Sequence, residues 1–379
     1  AMTFDVAIVG GGLIGSSIAF ELAREKLRLV VLDRQEPGRE ASWAAAGMLS
    51  PAPDGPPSVP LIPLAMESLA LYPRFVAEVE EVSGERTDYE QAGALHLFVK
   101  PEGIPQRDAM IAEYRHLGLD VAPIEIAGAR ERESAIGPGV QAAAWHPSEA
   151  SVDPRKLTNA TIAAARRRGV EIRGGAAVSA ILTQNGRCEG VVVGREKIAA
   201  RHVVLAAGCY SGTIANAHHG ACAPTVPVRG QLMALRKEGL RLGCVVRSDR
   251  GYLVPRSDGR VVAGSTLEHA GFQKQVTPEG LRKIMDAAAE MIPALADAEI
   301  VETWAGLRPG SPDELPILGP TRTEGLLAAT GHYRNGILLA PVTAKLVREW
   351  ILERPTTMDF GIFSPLRFEK QASGAEAAG

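Results

Sequence analysis

The 379-residue sequence predicts an α/β chain, α+β overall, with a Rossmann-type dinucleotide-binding domain and a second, mostly antiparallel β domain. Three observations predict it. The apolar run Phe4 to Val9 breaks at Gly10, Gly11 and Gly12; Ile14, Ile18 and Leu22 then mark one helical stripe; and Leu29 to Leu32 supplies a second strand. A continuously apolar strand suits a parallel sheet covered on both faces. Strand, helix and strand within about 30 residues form the βαβ unit, whose crossover is right-handed.

Length and composition agree with two domains, because chains of this size outgrow a single core. Hydrophobic residues make up 46% of the chain and the formal charge is -3, which is not the balance of a nucleic-acid binder. Cys188, Cys209, Cys222 and Cys244 contain no C-x-x-C pair, so reduced thiols and a cytoplasmic location are expected. The first strand starts within a few residues of Met2, so no secretory leader is expected. The most apolar long stretch, Ile337 to Leu352, is interrupted by Pro341, Lys345, Arg348 and Glu349, so no membrane span is expected.

The elements follow in order. The first helix is expected to end near Lys26. Prolines crowd residues 51 to 63 into an irregular loop that could cover a site. Leu64 to Val82 returns to helical spacing with Leu71, Phe75 and Val79 on one face, and Glu78, Glu80 and Glu81 are read as solvated. Ala94 to Val99 and Gln141 to His146 are strand candidates of the second domain. Pro154 opens a helix that runs to Arg166, Arg167 and Arg168, with Gly169 as its cap. Asn185-Gly186 marks a hairpin between Val178 to Leu182 and Glu189 to Val193. Val203 to Leu205 is a strand that ends at Ala206, Ala207 and Gly208, where backbone is exposed. An antiparallel block spans Val226 to Thr266, Thr277-Pro278 starts a helix that ends near Met291, and Leu326 to Leu352 reads as strand, glycine turn and helix. The expected division is 1–88, 150–222 and 325–365 for the nucleotide-binding domain, 89–149 and 223–324 for the substrate domain, and 366–379 as a flexible tail.

Gly10-x-Gly12-x-x-Gly15 is a weak signal alone, but here a buried strand precedes it, a helix follows it, and Asp33 ends the second strand about 20 residues on. Gly10 permits the turn, Gly12 lets backbone amides approach a pyrophosphate, and Gly15 lets the helix pack closely. The helix start then favours a diphosphate through its free amides and dipole. No second copy of this fingerprint occurs, so electrons are expected from the substrate rather than from a nicotinamide. The small residues from Glu40 to Met48 permit a flat ring to approach, and a loosely packed helix start explains them equally well.

Taken with the fingerprint, Ser42 to Met48, Trp304 to Gly310 and Gly331 to Pro341 resemble the D-amino-acid oxidase superfamily, and within it bacterial FAD-dependent glycine oxidases. The resemblance spans residues 4 to about 355 in order. It implies a non-covalent FAD, since no cysteine lies between Arg308 and Gly331, where related sarcosine oxidases attach theirs. By resemblance, Leu13, Ile14, Asp33, Arg34, Ala41 and Ser42 match contacts to the pyrophosphate and adenosine half. Ala46, Gly47 and Met48 match the strip beside the isoalloxazine, and Val178 matches a backbone contact to adenine. Ala207 and Gly208 are further cofactor candidates. The turn of His332, Tyr333, Arg334, Asn335, Gly336, Ile337 and Leu338 matches the one at the flavin's pyrimidine edge, with Pro341 expected as the first residue of the next helix.

For the substrate, the resemblance points to Arg308, Tyr252 and Arg334 at the carboxylate, with Met48 bounding the pocket. A planar guanidinium can hold a carboxylate through two parallel hydrogen bonds, although an isolated Arg before Pro is ordinarily a surface ion pair. His218, His219 and Cys222 near Cys209 suggest zinc, but their spacing is not that of paired ligand clusters, so no metal is expected. The implied activity is oxidation of a small amino acid, glycine foremost, by O2, with the imine available for thiamine thiazole synthesis and a homo-oligomer, a tetramer, by resemblance. Two other readings stay open: a sarcosine or D-amino-acid oxidase or dehydrogenase of the same fold, and an FAD-bearing subunit of a larger assembly.

Overall fold

The structure, a computed structural model, describes residues 3–214 and 223–368. Its first sheet runs in the order Ile317–Pro320, Leu326–Thr330, Glu196–Leu205, Phe4–Val9, Leu29–Leu32, Glu171–Arg173. Phe4–Val9 lies at its centre, with Ile8 opposite Val204 on one side and Val31 on the other, both parallel. Val6, Ile8, Leu29 and Val31 pack beneath helices Leu13–Leu22, Ile62–Ser83, Pro154–Arg167 and Gly336–Ile351. On the opposite face Ala7, Val9, Val30 and Leu32 meet Ile181 and Val191 of the hairpin Val178–Gln184 and Arg187–Val193. Both faces are therefore dry along Val6 to Val9 and Leu29 to Leu32, and these two stretches are apolar at every position. The hairpin turns on Asn185 at φ 51° and Gly186 at φ 77°, the pair of positive angles that a two-residue turn of this kind needs.

The second sheet runs Glu299–Gly310, Val226–Arg236, Val261–Gly264, Gly251–Pro255, Val245–Ser248, Ala94–Phe98, Ala142–His146, Ala122–Ile124. Val245–Ser248 and Ala94–Phe98 pair in parallel, and the other neighbours are antiparallel. Helix Pro278–Met291 covers one face with Ile284, Ala288 and Met291, and starts where the Thr277 side chain accepts from the Gly280 amide. Met48–Leu49 pairs with Ala150–Ser151 between the two sheets.

Four expectations need correction. Ile317–Pro320 belongs to the first sheet, because a short turn folds it antiparallel onto Leu326–Thr330. Pro341 is interior to helix Gly336–Ile351 rather than first in it. Residues 365–368 form a helical turn instead of a free tail: Phe368 is buried with Ile317 and Ala328, and Arg367 pairs with Asp313; residues 369–379 lie outside the described ones. Of the acidic cluster only Glu81 is exposed. Glu78 ties Arg24 to Arg168, and Glu80 accepts from both the amide and the hydroxyl of Thr87.

Candidate functional site

A cavity of about 740 Å³ opens where the parallel strands end, with Val9, Leu32, Ala206 and Thr330 at its floor. In open α/β sheets ligands bind beyond the carboxyl ends of the strands, and this volume falls among ordinary ligand pockets. The second sheet supplies the opposite wall, including Tyr252 and Arg308.

The glycine fingerprint works through close approach. Gly10 has φ 108°, and a Cβ there would lie 2.3 Å from the Ala206 carbonyl oxygen; one at Gly15 would lie 1.9 Å from that of Gly10. Only hydrogen fits at either position. Helix Leu13–Leu22 has no side-chain cap at Gly12, while the Leu13 amide donates to Ser42 Oγ at 2.9 Å. Asp33 accepts from the Gly11 amide at 2.8 Å and the Gln35 amide at 3.0 Å, and burial pushes its carboxyl pKa up against those bonds. A carboxylate fixed at the end of the second strand suits a ribose hydroxyl.

The Glu40 to Met48 strip is gripped from behind. Trp304 donates its indole N–H to the Ala44 carbonyl at 3.0 Å, and Arg256 donates to the Ala46 carbonyl at 2.7 Å. The Val152 amide donates to the Gly47 carbonyl at 2.9 Å, and Gly47, at φ 86°, leaves no room for a Cβ beside the Val152 carbonyl. Glu302, Trp304, Gly306 and Arg308 alternate along strand Glu299–Gly310, so one face of that strand holds the strip and also presents Arg308. Arg155 lies over the Trp43 ring, 3.5 Å from its centroid, with both terminal nitrogens on Glu302.

Arg308 donates to the Thr266 carbonyl at 3.2 Å and to Ser265 Oγ at 2.7 Å. Burial pulls its pKa down. Among the arginines lining the cavity, Arg34 pairs with Glu40, Arg247 with Glu149, Arg250 with Glu290 and Arg334 with Asp54. Arg308 has no carboxylate within ion-pair distance among the described residues, so its charge is matched only by neutral oxygens.

The remaining sequence candidates fall into two groups. Gly10, Gly12, Ile14, Asp33, Arg34, Ala41, Ser42, Ala46, Gly47, Met48, Val178, Ala207, Gly208, Tyr252, His332, Tyr333, Arg334, Asn335, Gly336 and Ile337 all line the cavity. Leu13, Gly15 and Leu338 do not: the two leucines are buried in the core beneath the helices, and Gly15 packs on Gly10. His332 is buried, with Nε2 3.0 Å from the Thr343 hydroxyl, and burial pulls its pKa down to about 3, so it is neutral.

Sequence reasoning missed Ser50, His96, Tyr114, Tyr210, Arg247, Ser265 and Thr266, which also line the cavity. Arg247 sits directly opposite Tyr252 in the hairpin register, so pairing those two strands on paper could have placed it. His96 lies on Ala94–Phe98 with its pKa pulled down to about 3 by burial, and nothing local in the sequence marks it. The described residues contain no cluster of three or more metal-ligating side chains, and His218, His219 and Cys222 lie outside them. No described helix is long and apolar enough to cross a membrane.

A family model described as DAO, FAD dependent oxidoreductase, matches residues 5–350. The chain belongs to this family. FAD is its cofactor, and the glycine cradle, the fixed Asp33 carboxylate and the cavity volume fit that group. The chain is 37% identical over 374 residues to a bifunctional protein ThiO/ThiG of Synechocystis sp., covering 97% of this chain and 54% of that protein. It thus spans a little over half the length of such bifunctional relatives. It is 31% identical to the hydrogen cyanide synthase subunit HcnC of Pseudomonas aeruginosa, covering 99% of both chains. The crystal structure of glycine oxidase from Geobacillus kaustophilus superposes with a TM-score of 0.90 at 32% identity, covering 96% of this chain and 98% of that one.

Proposed function

We propose that the chain oxidises a small α-amino acid, glycine foremost, in the overall reaction glycine + O2 + H2O → glyoxylate + NH3 + H2O2. The observation that carries this is Arg308, the cavity arginine without a carboxylate partner among the described residues, presented by the same strand face that grips the strip at Ala44. An uncompensated guanidinium in a cavity favours one carboxylate, and its two parallel donors orient it. Since every other lining arginine already has an acidic partner, the charge balance suits a substrate with a single carboxylate. FAD supplies the two-electron acceptor for the α-carbon hydrogen.

The protein's part is mainly positioning. Arg308 and Tyr252 hold the carboxylate end, Met48 bounds the space beside the α-carbon, and the Arg334–Asp54 pair brings the proline-rich segment against the cavity. His96 and His332, with pKa values of about 3, are poor acceptors for an ammonium proton at neutral pH. The substrate therefore reacts as the free amine, and kcat/KM is expected to rise with pH towards the amine pKa.

FAD is held without a covalent bond in this reading. No cysteine lies between Arg308 and Gly331, and the cavity thiol Cys209 has its pKa pushed up to about 12 by burial, which keeps it protonated. Relatives fused to ThiG support a role in supplying the imine for thiamine synthesis. Similarity to HcnC favours a second reading, an FAD-bearing subunit that passes electrons elsewhere. Oxygen uptake by the purified yellow protein with glycine, sarcosine and D-alanine separates the two. Peroxide formed from glycine supports the oxidase, and reduction of the flavin by glycine without oxygen uptake supports the subunit.

A further inference from the structure

The second domain reaches the far end of the cofactor cleft through one turn. Residues 268–277 leave the antiparallel sheet and return to it at helix Pro278–Met291, and the buried side chain of Gln231 holds both ends. Its Nε2 donates to Glu268 Oε1 at 2.7 Å and to Thr277 Oγ1 at 3.1 Å, while its Oε1 accepts from the Thr277 amide at 2.8 Å. Arg229 pairs with Glu268 as well. A turn with its base fixed in this way holds its tip in one place at little further entropy cost.

The tip lies on the nucleotide-binding domain. Phe272 stacks on Tyr210 with ring centroids 5.0 Å apart and planes at 26°, and Arg34 covers Tyr210 with its guanidinium carbon 3.7 Å from the centroid. Lys274 pairs with Glu40, which also pairs with Arg34. Arg34, Glu40 and Tyr210 line the cavity beside Asp33, whereas Phe272, which is 46% exposed, lies outside the lining. Asp33 marks the ribose end, so the contacts of Phe272 and Lys274 close over the adenosine half of the cleft.

We infer that Phe272 and Lys274 form a clasp that retains FAD, acting through Tyr210 and Glu40 at the adenosine end. The inference rests on the cofactor assignment and goes beyond it, because neither clasp residue belongs to the fingerprint. The stack contributes more than the exposed ion pair, so Phe272 dominates.

The test follows release of FAD from the holoenzyme as the rise of flavin fluorescence after dilution. Phe272→Ala and Phe272→Leu are expected to release FAD roughly two- to tenfold faster than the wild type, with Lys274→Ala adding a smaller increase. Phe272→Tyr and Lys274→Arg keep the stack and the pair, and are expected to release at the wild-type rate. The absorbance spectrum of the bound flavin stays unchanged throughout. Wild-type release from Phe272→Leu, or release from Phe272→Tyr as fast as from Phe272→Ala, overturns the clasp. A wild-type chain that takes up no flavin overturns the cofactor assignment along with it.

Discussion

The hydroxyl of Tyr72 donates to the carbonyl of Ile337 at 2.6 Å, and that carbonyl is the one Pro341 leaves without a helical donor. Proline has no amide hydrogen, and its ring crowds the carbonyl four residues back. One turn further, Ser68 Oγ bridges the gap, donating to the Leu338 carbonyl at 2.6 Å and accepting from the Val342 amide at 3.3 Å. Helix Ile62–Ser83 thus repairs helix Gly336–Ile351 where it leaves the turn of His332 to Asn335. Tyr72→Phe removes this donor from a buried acceptor, at an expected cost of about 1–3 kcal/mol. The check is the thermal midpoint of the holoenzyme, which should fall, while Phe75→Tyr, on the half-buried neighbouring ring, should leave it nearly unchanged.

Arg308→Ala should leave flavin absorbance intact and raise KM for glycine by two orders of magnitude or more, since pairing a carboxylate with a buried guanidinium is worth roughly 2–5 kcal/mol. Arg308→Lys should recover part of this, because an ammonium offers charge without the planar fork. Ser265→Ala, which removes one oxygen that orients Arg308, should give a smaller change of the same sign. Steady-state kinetics on flavin-loaded protein measure all three, and unaltered KM in Arg308→Ala would remove the anchor from the site.

The difference between what was legible and what was not is one of distance along the chain. Gly10, Gly15 and Asp33 were readable because their work is local: turn, helix start and strand end fall within one βαβ unit, and the spacing encodes the geometry. The Asn185-Gly186 hairpin was readable for the same reason. Pro341 was misplaced because proline is at home in a first turn, and the residues that rescue it inside the helix lie some 270 positions away, as with Ser68 and Leu338. Arg247 was missed since its partner Glu149 comes from another strand connection, 98 residues distant. Glu78 looked solvated because its partners Arg24 and Arg168 lie 54 and 90 residues away, whereas Glu80 finds Thr87 only seven residues on, across a helix end whose bend the spacing does not reveal.

Gly15→Ala should abolish FAD binding at modest cost elsewhere. The added methyl would sit 1.9 Å from the Gly10 carbonyl oxygen, so the first helix must move off the strand end that forms the pyrophosphate cradle. Gly139→Ala is the control, with nothing within 4 Å of the new methyl. The ratio of absorbance near the flavin band to that at the protein band, read on the purified chains, should fall to near zero for the first and stay at the wild-type value for the second.

Acid should destabilise the fold through histidines that burial keeps neutral. His96 and His332 have pKa values pulled down to about 3 by burial, and His146 to about 2 by burial and the nearby Arg247. In the unfolded chain each titrates near the ordinary value of about 6.5. Below that pH the unfolded state binds protons that the folded state refuses, so stability present above it is lost progressively as pH falls towards the folded values. The thermal midpoint should therefore drop between pH 7 and pH 5 by more in the wild type than in His146→Gln, which has no proton to take up on unfolding. Equal drops in the two proteins would remove His146 from the groups that set the acid sensitivity.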